Sequence, residues 1–148
     1  MKRFFETLQA DAAETAANVA FDGRQLAAAA LLVHAAGVDN AFDESERARI
    51  VDIARTRLGL PADEAAALID AAERRVENSV QILGFTRTIK DRFSYEQRVE
   101  LIEMLWEVVY ADGRVDEFES QLMRRIAGLI YVTDRDAGEA RRRVRERQ

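Results

Sequence analysis

The feature that most constrains this chain is a gapless internal repeat. The segment Asp39-Asn40-Ala41-Phe42-Asp43-Glu44-Ser45-Glu46 matches Asp112-Gly113-Arg114-Val115-Asp116-Glu117-Phe118-Glu119, with four of the eight positions identical. The apolar frame around it is shared as well: Leu31 and Leu32 align with Met104 and Leu105 upstream, Ile53 and Ala54 with Ile126 and Ala127 downstream. A polar turn repeated between two apolar-periodic stretches implies two related helical hairpins around one core, with residues 61–93 between them.

Apolar residues recur at spacings of three and four almost throughout, and alternating valine-rich runs are absent, so the chain reads as all-α. Leu101, Met104, Leu105, Val108 and Val109 form one stripe; Ile50, Ile53, Ala54 and Leu58 a second; Leu122, Ile126, Leu129 and Ile130 a third. Ser94 with Gln97 has the spacing of a capping box, Thr133 with Asp136 resembles another cap, and Pro61 suits a first helical turn. The expectation is about seven helices in one compact bundle with an internal pseudo-two-fold repeat.

The chain has 148 residues, 48% of them apolar, which suffices for one core, and a single proline with no Gly/Ser-rich stretch marks no linker. One domain over 1–148 is expected, with an N-terminal arm of about 1–21 and a core of about 22–148. Without cysteine there are no disulfides, thiolate metal sites or thiol redox chemistry. Lys2 and Arg3 precede only a short apolar patch, and the longest uncharged apolar run, Leu26 to Val38, is too short to span a bilayer, so a cytoplasmic location is expected. A net charge of −5 gives no general case for nucleic-acid binding.

Two accounts of the acidic turns stand open at this level. Asp43 with Glu46, and Asp116 with Glu119, have capping-box spacing, and carboxylates at a helix start also complement its dipole by about 0.3–1 kcal/mol each. Gly113, and Asn40 in its place, suit the left-handed conformation that ends the preceding helix. Capping does not explain Asp39 and Asp112, which fall at the C-terminal end of the preceding helix, where the dipole disfavours a negative charge. A hard divalent cation shared by these carboxylates would relieve the repulsion, and an oxygen-only ligand set favours calcium, magnesium or manganese. The turns are not EF-hands: Ala41 and Arg114 occupy the third loop position, Ile50 and Met123 the twelfth.

His34, the only histidine, aligns with Glu107 and reads as a helix-C-terminal residue favourable to the dipole when charged. Trp106 and Tyr110 are i,i+4 neighbours expected in the core, with a partner-helix groove as the alternative. Arg135, Arg141, Arg142, Arg143, Arg145 and Arg147 read as a solvated, dipole-compatible helix end, with docking to an anionic surface as the alternative. Phe4, Phe5 and Leu8 are expected to pack on the core. There is no Ser-His-Asp set, HExxH, phosphate-binding glycine loop or dinucleotide fingerprint, so a non-enzymatic role is expected, with no organic cofactor.

Three segments carry a family resemblance: Leu32 to Asp39, Gly84-Phe85-Thr86-Arg87, and Leu105 to Gly113 look like the signature segments of TerB-like tellurite-resistance proteins. The resemblance implies a seven-helix domain and assigns proposed metal ligation to Asp39, Asp43, Glu46, Asp112, Asp116 and Glu119. It implies a role in metal-stress response with protein partners, some at the inner membrane surface, since TerB-like domains also resemble part of a membrane-anchored J-domain co-chaperone. Direct tellurite chemistry is not expected, because acidic turns repel an oxyanion and the chain holds no thiol. The alternative is a protein-interaction scaffold whose acidic turns are only caps.

Overall fold

Six consecutive residues, Ala27 to Leu32, have no solvent exposure, and a helix apolar on every side belongs at the centre of a fold. That helix is α1 (Gly23–Ala36). It is followed by α2 (Glu44–Leu58), α3 (Ala62–Arg75), α4 (Ser79–Arg92), α5 (Tyr95–Val109) with a 3-10 turn at Tyr110–Asp112, α6 (Glu117–Leu129) and α7 (Asp134–Arg147). The computed structural model describes residues 23–36, 44–76, 79–112 and 115–147, and for residues 79–81 and 112 the backbone alone. The N-terminal arm, with Phe4, Phe5 and Leu8, lies outside the described residues. Among these residues all regular structure is helical, in the expected seven helices, and no helix is long and apolar enough to cross a membrane.

The alanines of α1 let five helices, α2 to α6, pack against it. Its partner at the centre is α5, buried without a break from Leu101 to Trp106. The expected stripes on α5 and α2 are buried in full, each large side chain contributing about 1.5–3 kcal/mol. On α6 the expected stripe is rotated: Met123, Ile126, Ala127 and Ile130 are buried, while Leu122 and Leu129 are half-buried at its flank. Both sets obey helical periodicity, and only the direction of α5 selects between them.

The repeat is larger than a hairpin. The unit α1–α2–α3 recurs as α5–α6–α7, and α4 bridges the two by packing on α1 and α6. Both second helices end in the same way, Leu60 N donating to Arg55 O (3.2 Å) and Val132 N to Ala127 O (2.9 Å), the long-range bond of a Schellman turn. The left-handed residue of that turn is Gly59 (φ 69°) in the first copy but Tyr131 (φ 60°) in the second. The buried positions Ala65, Leu68, Ile69 and Ala72 of α3 then correspond to Ala137, Ala140, Arg141 and Val144 of α7. Residues 61–93, expected to lie between the copies, therefore divide into a repeated helix and an unrepeated one.

Helix starts follow the local chemistry. Ser94 and Gln97 form the expected reciprocal box, and Pro61 takes the N-cap position of α3. Thr133 accepts from Asp136 N at 3.1 Å, but the return bond runs through another helix: Thr133 N donates to Tyr95 Oη (3.3 Å), which donates to the Asp136 carboxylate (2.5 Å). One tyrosine thus ties the start of α5 to the start of α7.

Candidate functional site

In the second acidic turn, Asp116 Oδ1 accepts from Glu119 N at 2.7 Å and Glu119 Oε1 accepts from Asp116 N at 3.1 Å, a complete capping box that stops the backbone N–H groups of α6 from going unpaired. Asp112 closes the 3-10 turn that ends α5, the dipole-disfavoured place expected from sequence. Its side chain, and Gly113, lie outside the described residues. So do Asp39, Asn40 and Asp43 of the first turn, leaving Glu46, in the first turn of α2, as the described one of that copy's three candidate ligands.

Glu46 and Glu119 are brought together. Both line one pocket of about 70 Å³, walled by the last turns of α1 and α5 and the first turns of α2 and α6. Its lining includes three pairs of equivalent residues of the two copies, Ala35 with Val108, Ala36 with Val109, and Glu46 with Glu119, all at one 73-residue offset, together with Arg49, Ile50 and Ile53 of the first copy and Ala111 of the second, so the pocket lies between the copies. A water needs about 10–15 Å³ of such space, so the pocket holds a few waters or a hydrated ion rather than a metabolite. Arg49, on the same wall, donates from Nη1 to Ala111 O at 2.6 Å and satisfies a carbonyl at the end of α5. Among the described residues no three acidic or histidine side chains form a group able to hold a metal.

His34 sits in the last turn of α1, as expected, but burial, and secondarily the charge of Arg125, push its pKa below the ordinary histidine value, which disfavours the charged form that the helix dipole would favour. Trp106 and Tyr110 are core residues as expected, their rings 5.7 Å apart.

The C-terminal arginines are solvent-exposed as expected, apart from half-buried Arg141, but Arg141, Arg143 and Arg147 also reach inward to α5. Glu103, 1% exposed at the centre of α5, accepts from Arg143 Nε at 2.9 Å and faces Arg147 at 3.0 Å and Arg57 at 3.6 Å. Burial raises the Glu103 pKa, but the hydrogen bond from Arg143 and the charges of Arg57 and Arg143 outweigh it and hold the carboxyl below its usual range. Arg57 and Arg147 also pair with Glu107. The guanidinium of Arg141 stacks on Trp106 at 4.5 Å and donates to Tyr110 Oη at 2.8 Å. These contacts fasten α7 and α2 to α5. The sequence signal was available: a charged residue inside an otherwise apolar run, and arginines four apart at 143 and 147.

Comparison with known proteins agrees with this architecture. The family model for tellurite resistance protein TerB matches residues 25–142, a span that includes both acidic turns and all seven described helices in whole or large part. No curated protein and no solved structure matches the chain significantly. The family match covers well over half of the chain, which therefore belongs to the TerB family.

Proposed function

We propose that this protein is a non-catalytic TerB module that binds one hard divalent cation between its two repeats and acts in metal-stress response. The observation that supports the reading is the meeting of Glu46 and Glu119 in a single pocket lined by equivalent residues of both copies. Carboxylate oxygens suit calcium, magnesium or manganese, and Glu46 and Glu119, which line the pocket, would share the cation with Asp39, Asp43, Asp112 and Asp116 from the same turns. A cation there would offset the charge that Asp112 places at the end of α5 and join the starts of α2 and α6. Binding would thereby couple the two halves of the bundle, a change that a protein partner can read. Phe118, exposed beside the cap residue Asp116, is a suitable contact for one. A cytoplasmic setting, with partners at the membrane surface, fits this role.

The test is calorimetric titration of the chelated protein with calcium, magnesium and manganese, alongside thermal melts. One cation per chain is expected, with saturating cation (about 100 times Kd) adding about 2.7 kcal/mol of stability. Glu46→Gln and Glu119→Gln should each weaken that one site by at least about tenfold, or about 1.4 kcal/mol. Two independent sites per chain would refute the shared pocket. No heat and no melting shift with any of the three cations would refute cation binding and leave the turns as caps on a protein-interaction domain.

A further inference from the structure

A second pocket, about 360 Å³, opens between α5, α6 and α7, and all its lining residues come from the second copy. At the equivalent place in the first copy Leu68 and Ile69 of α3 are wholly buried. Their counterparts on α7 are Ala140 and Arg141, and Gly138 stands where α3 has Ala66. Gly138 lines the pocket in the middle of a helix, where glycine is the poorest choice after proline, yet a Cβ placed on it would meet nothing within 4 Å. No packing constraint accounts for the glycine, and a larger side chain at this position would have open space to enter.

The lining has a definite chemistry. Arg141 is fixed by its stack on Trp106 and its bond to Tyr110, and Arg124 faces the pocket from α6. Neither arginine has a carboxylate partner among the described residues, a condition they share with most of the described arginines. Trp106 is buried, and its Nε1 donor has no acceptor. Ser120 adds a hydroxyl, Met123 and Ala127 an apolar wall, and Asp134 a carboxylate. Two guanidiniums match the several acceptor oxygens of a phosphate group, and a carboxylate matches sugar hydroxyls. The volume exceeds what inorganic phosphate needs and falls within the range of about 300–1,000 Å³ usual for small-ligand sites.

We propose that this pocket binds a small sugar-bearing organic phosphate, with Arg124 and Arg141 on the phosphate and Asp134 on a hydroxyl, independently of the cation pocket. Trp106, the sole tryptophan, lines the pocket and reports occupancy directly. The experiment titrates AMP and glucose 6-phosphate into the full chain, with adenosine, glucose and inorganic phosphate as comparisons, and follows Trp106 fluorescence with correction for absorption by the ligand. A saturable change with a Kd below about 1 mM is expected for at least one of the two phosphates, at least about tenfold tighter than for inorganic phosphate and absent with adenosine and glucose. Arg124→Ala, at an exposed position, and Gly138→Leu, which fills open space, should each abolish it while the melting temperature is kept. Glu119→Gln should leave it unchanged. No saturable change with either phosphate, or a change that survives both Arg124→Ala and Gly138→Leu, would overturn the proposal.

Discussion

Replacing Glu103 by Gln tests whether the arginines of α7 hold the bundle together or merely decorate it. The substitution keeps the volume and removes the charge from a side chain that is 1% exposed and faces three guanidiniums. Removing one partner of a fully buried ion pair costs about 3–5 kcal/mol. Here Arg143 and Arg147 are 44% and 47% exposed and can return to water, so their share falls towards the surface-pair range of about 0–1 kcal/mol each. Arg57, 13% exposed, cannot rehydrate as freely, although it keeps Glu107. A net loss of about 2–3 kcal/mol follows, or about 6–10 °C in Tm for a chain of this size. The assay is urea denaturation at pH 7 followed by circular dichroism, with the exposed pair Glu139–Arg142 as control, where Glu139→Gln should leave the midpoint unchanged. Because the folded pKa of Glu103 is depressed, its contribution is fully present above the unfolded value of about 4.3 and is lost as the pH falls through the folded value. The gap between wild type and Glu103→Gln should therefore be constant near neutrality and close in strong acid. A loss at pH 7 no larger than that of the Glu139→Gln control would refute the assignment of α7's anchorage to this cluster.

Asp116→Ala removes the cap of α6 and should cost about 0.5–2 kcal/mol by denaturant titration of the chelated protein. Tyr131→Gly should stabilise by up to about 1 kcal/mol, since Tyr131 is exposed and carries a left-handed φ that its counterpart Gly59 adopts freely, while Tyr131→Ala should bring no gain. His34 has a folded pKa below its unfolded value of about 6.5, so its neutral form favours folding above that pH and stability falls on acidification from there through the folded value. A melting series from pH 8 to pH 5 should show that decline in the wild type and a shallower one in His34→Gln; equal slopes would exclude His34 as its source.

What could be read from sequence was what depends on spacing along one helix. Capping boxes at Ser94 and Asp116 need only two residues three apart, and both form as expected. The stripe of α2 had one apolar face, so burial had one solution, and α5 is apolar on most sides, so its stripe is buried in any orientation. On α6, Met123 and Ala127 compete with Leu122 and Leu129, and tertiary packing decides. Glu103 and its arginines depend on contacts about 40 residues apart in the chain, which helical periodicity does not encode. Of the six acids singled out for metal, the structure describes the side chains of Glu46, Asp116 and Glu119 and joins two of them in one pocket. That convergence is a property of how α1 meets α5, not of either turn alone.

The two pockets reflect the two fates open to a duplicated helical unit. Where the copies face each other, a residue retained in both appears twice in one place, so Glu46 and Glu119 double the negative charge at their junction without any new residue being needed. Such a site depends on the copies staying alike, and a change in either acid halves it. Away from the junction each copy packs its third helix separately, and there the copies are free to differ. Ile69 in one and Arg141 in the other show the consequence: the first copy keeps a closed apolar interface that stabilises the bundle, while the second holds a fixed guanidinium beside an open volume. The lost burial at Arg141 is offset by its stack on Trp106 and by the Glu103 cluster one turn further along α7, which anchors the helix by charge where its apolar face is thin. A variant with Gly138→Ala, Ala140→Leu and Arg141→Ile would restore the first copy's pattern. It should melt above the wild type and keep the cation pocket, because the stability of α7 and the chemistry of the junction rest on different residues. A lower melting temperature would mean that the surrounding helices have already closed on the space that Leu and Ile would need.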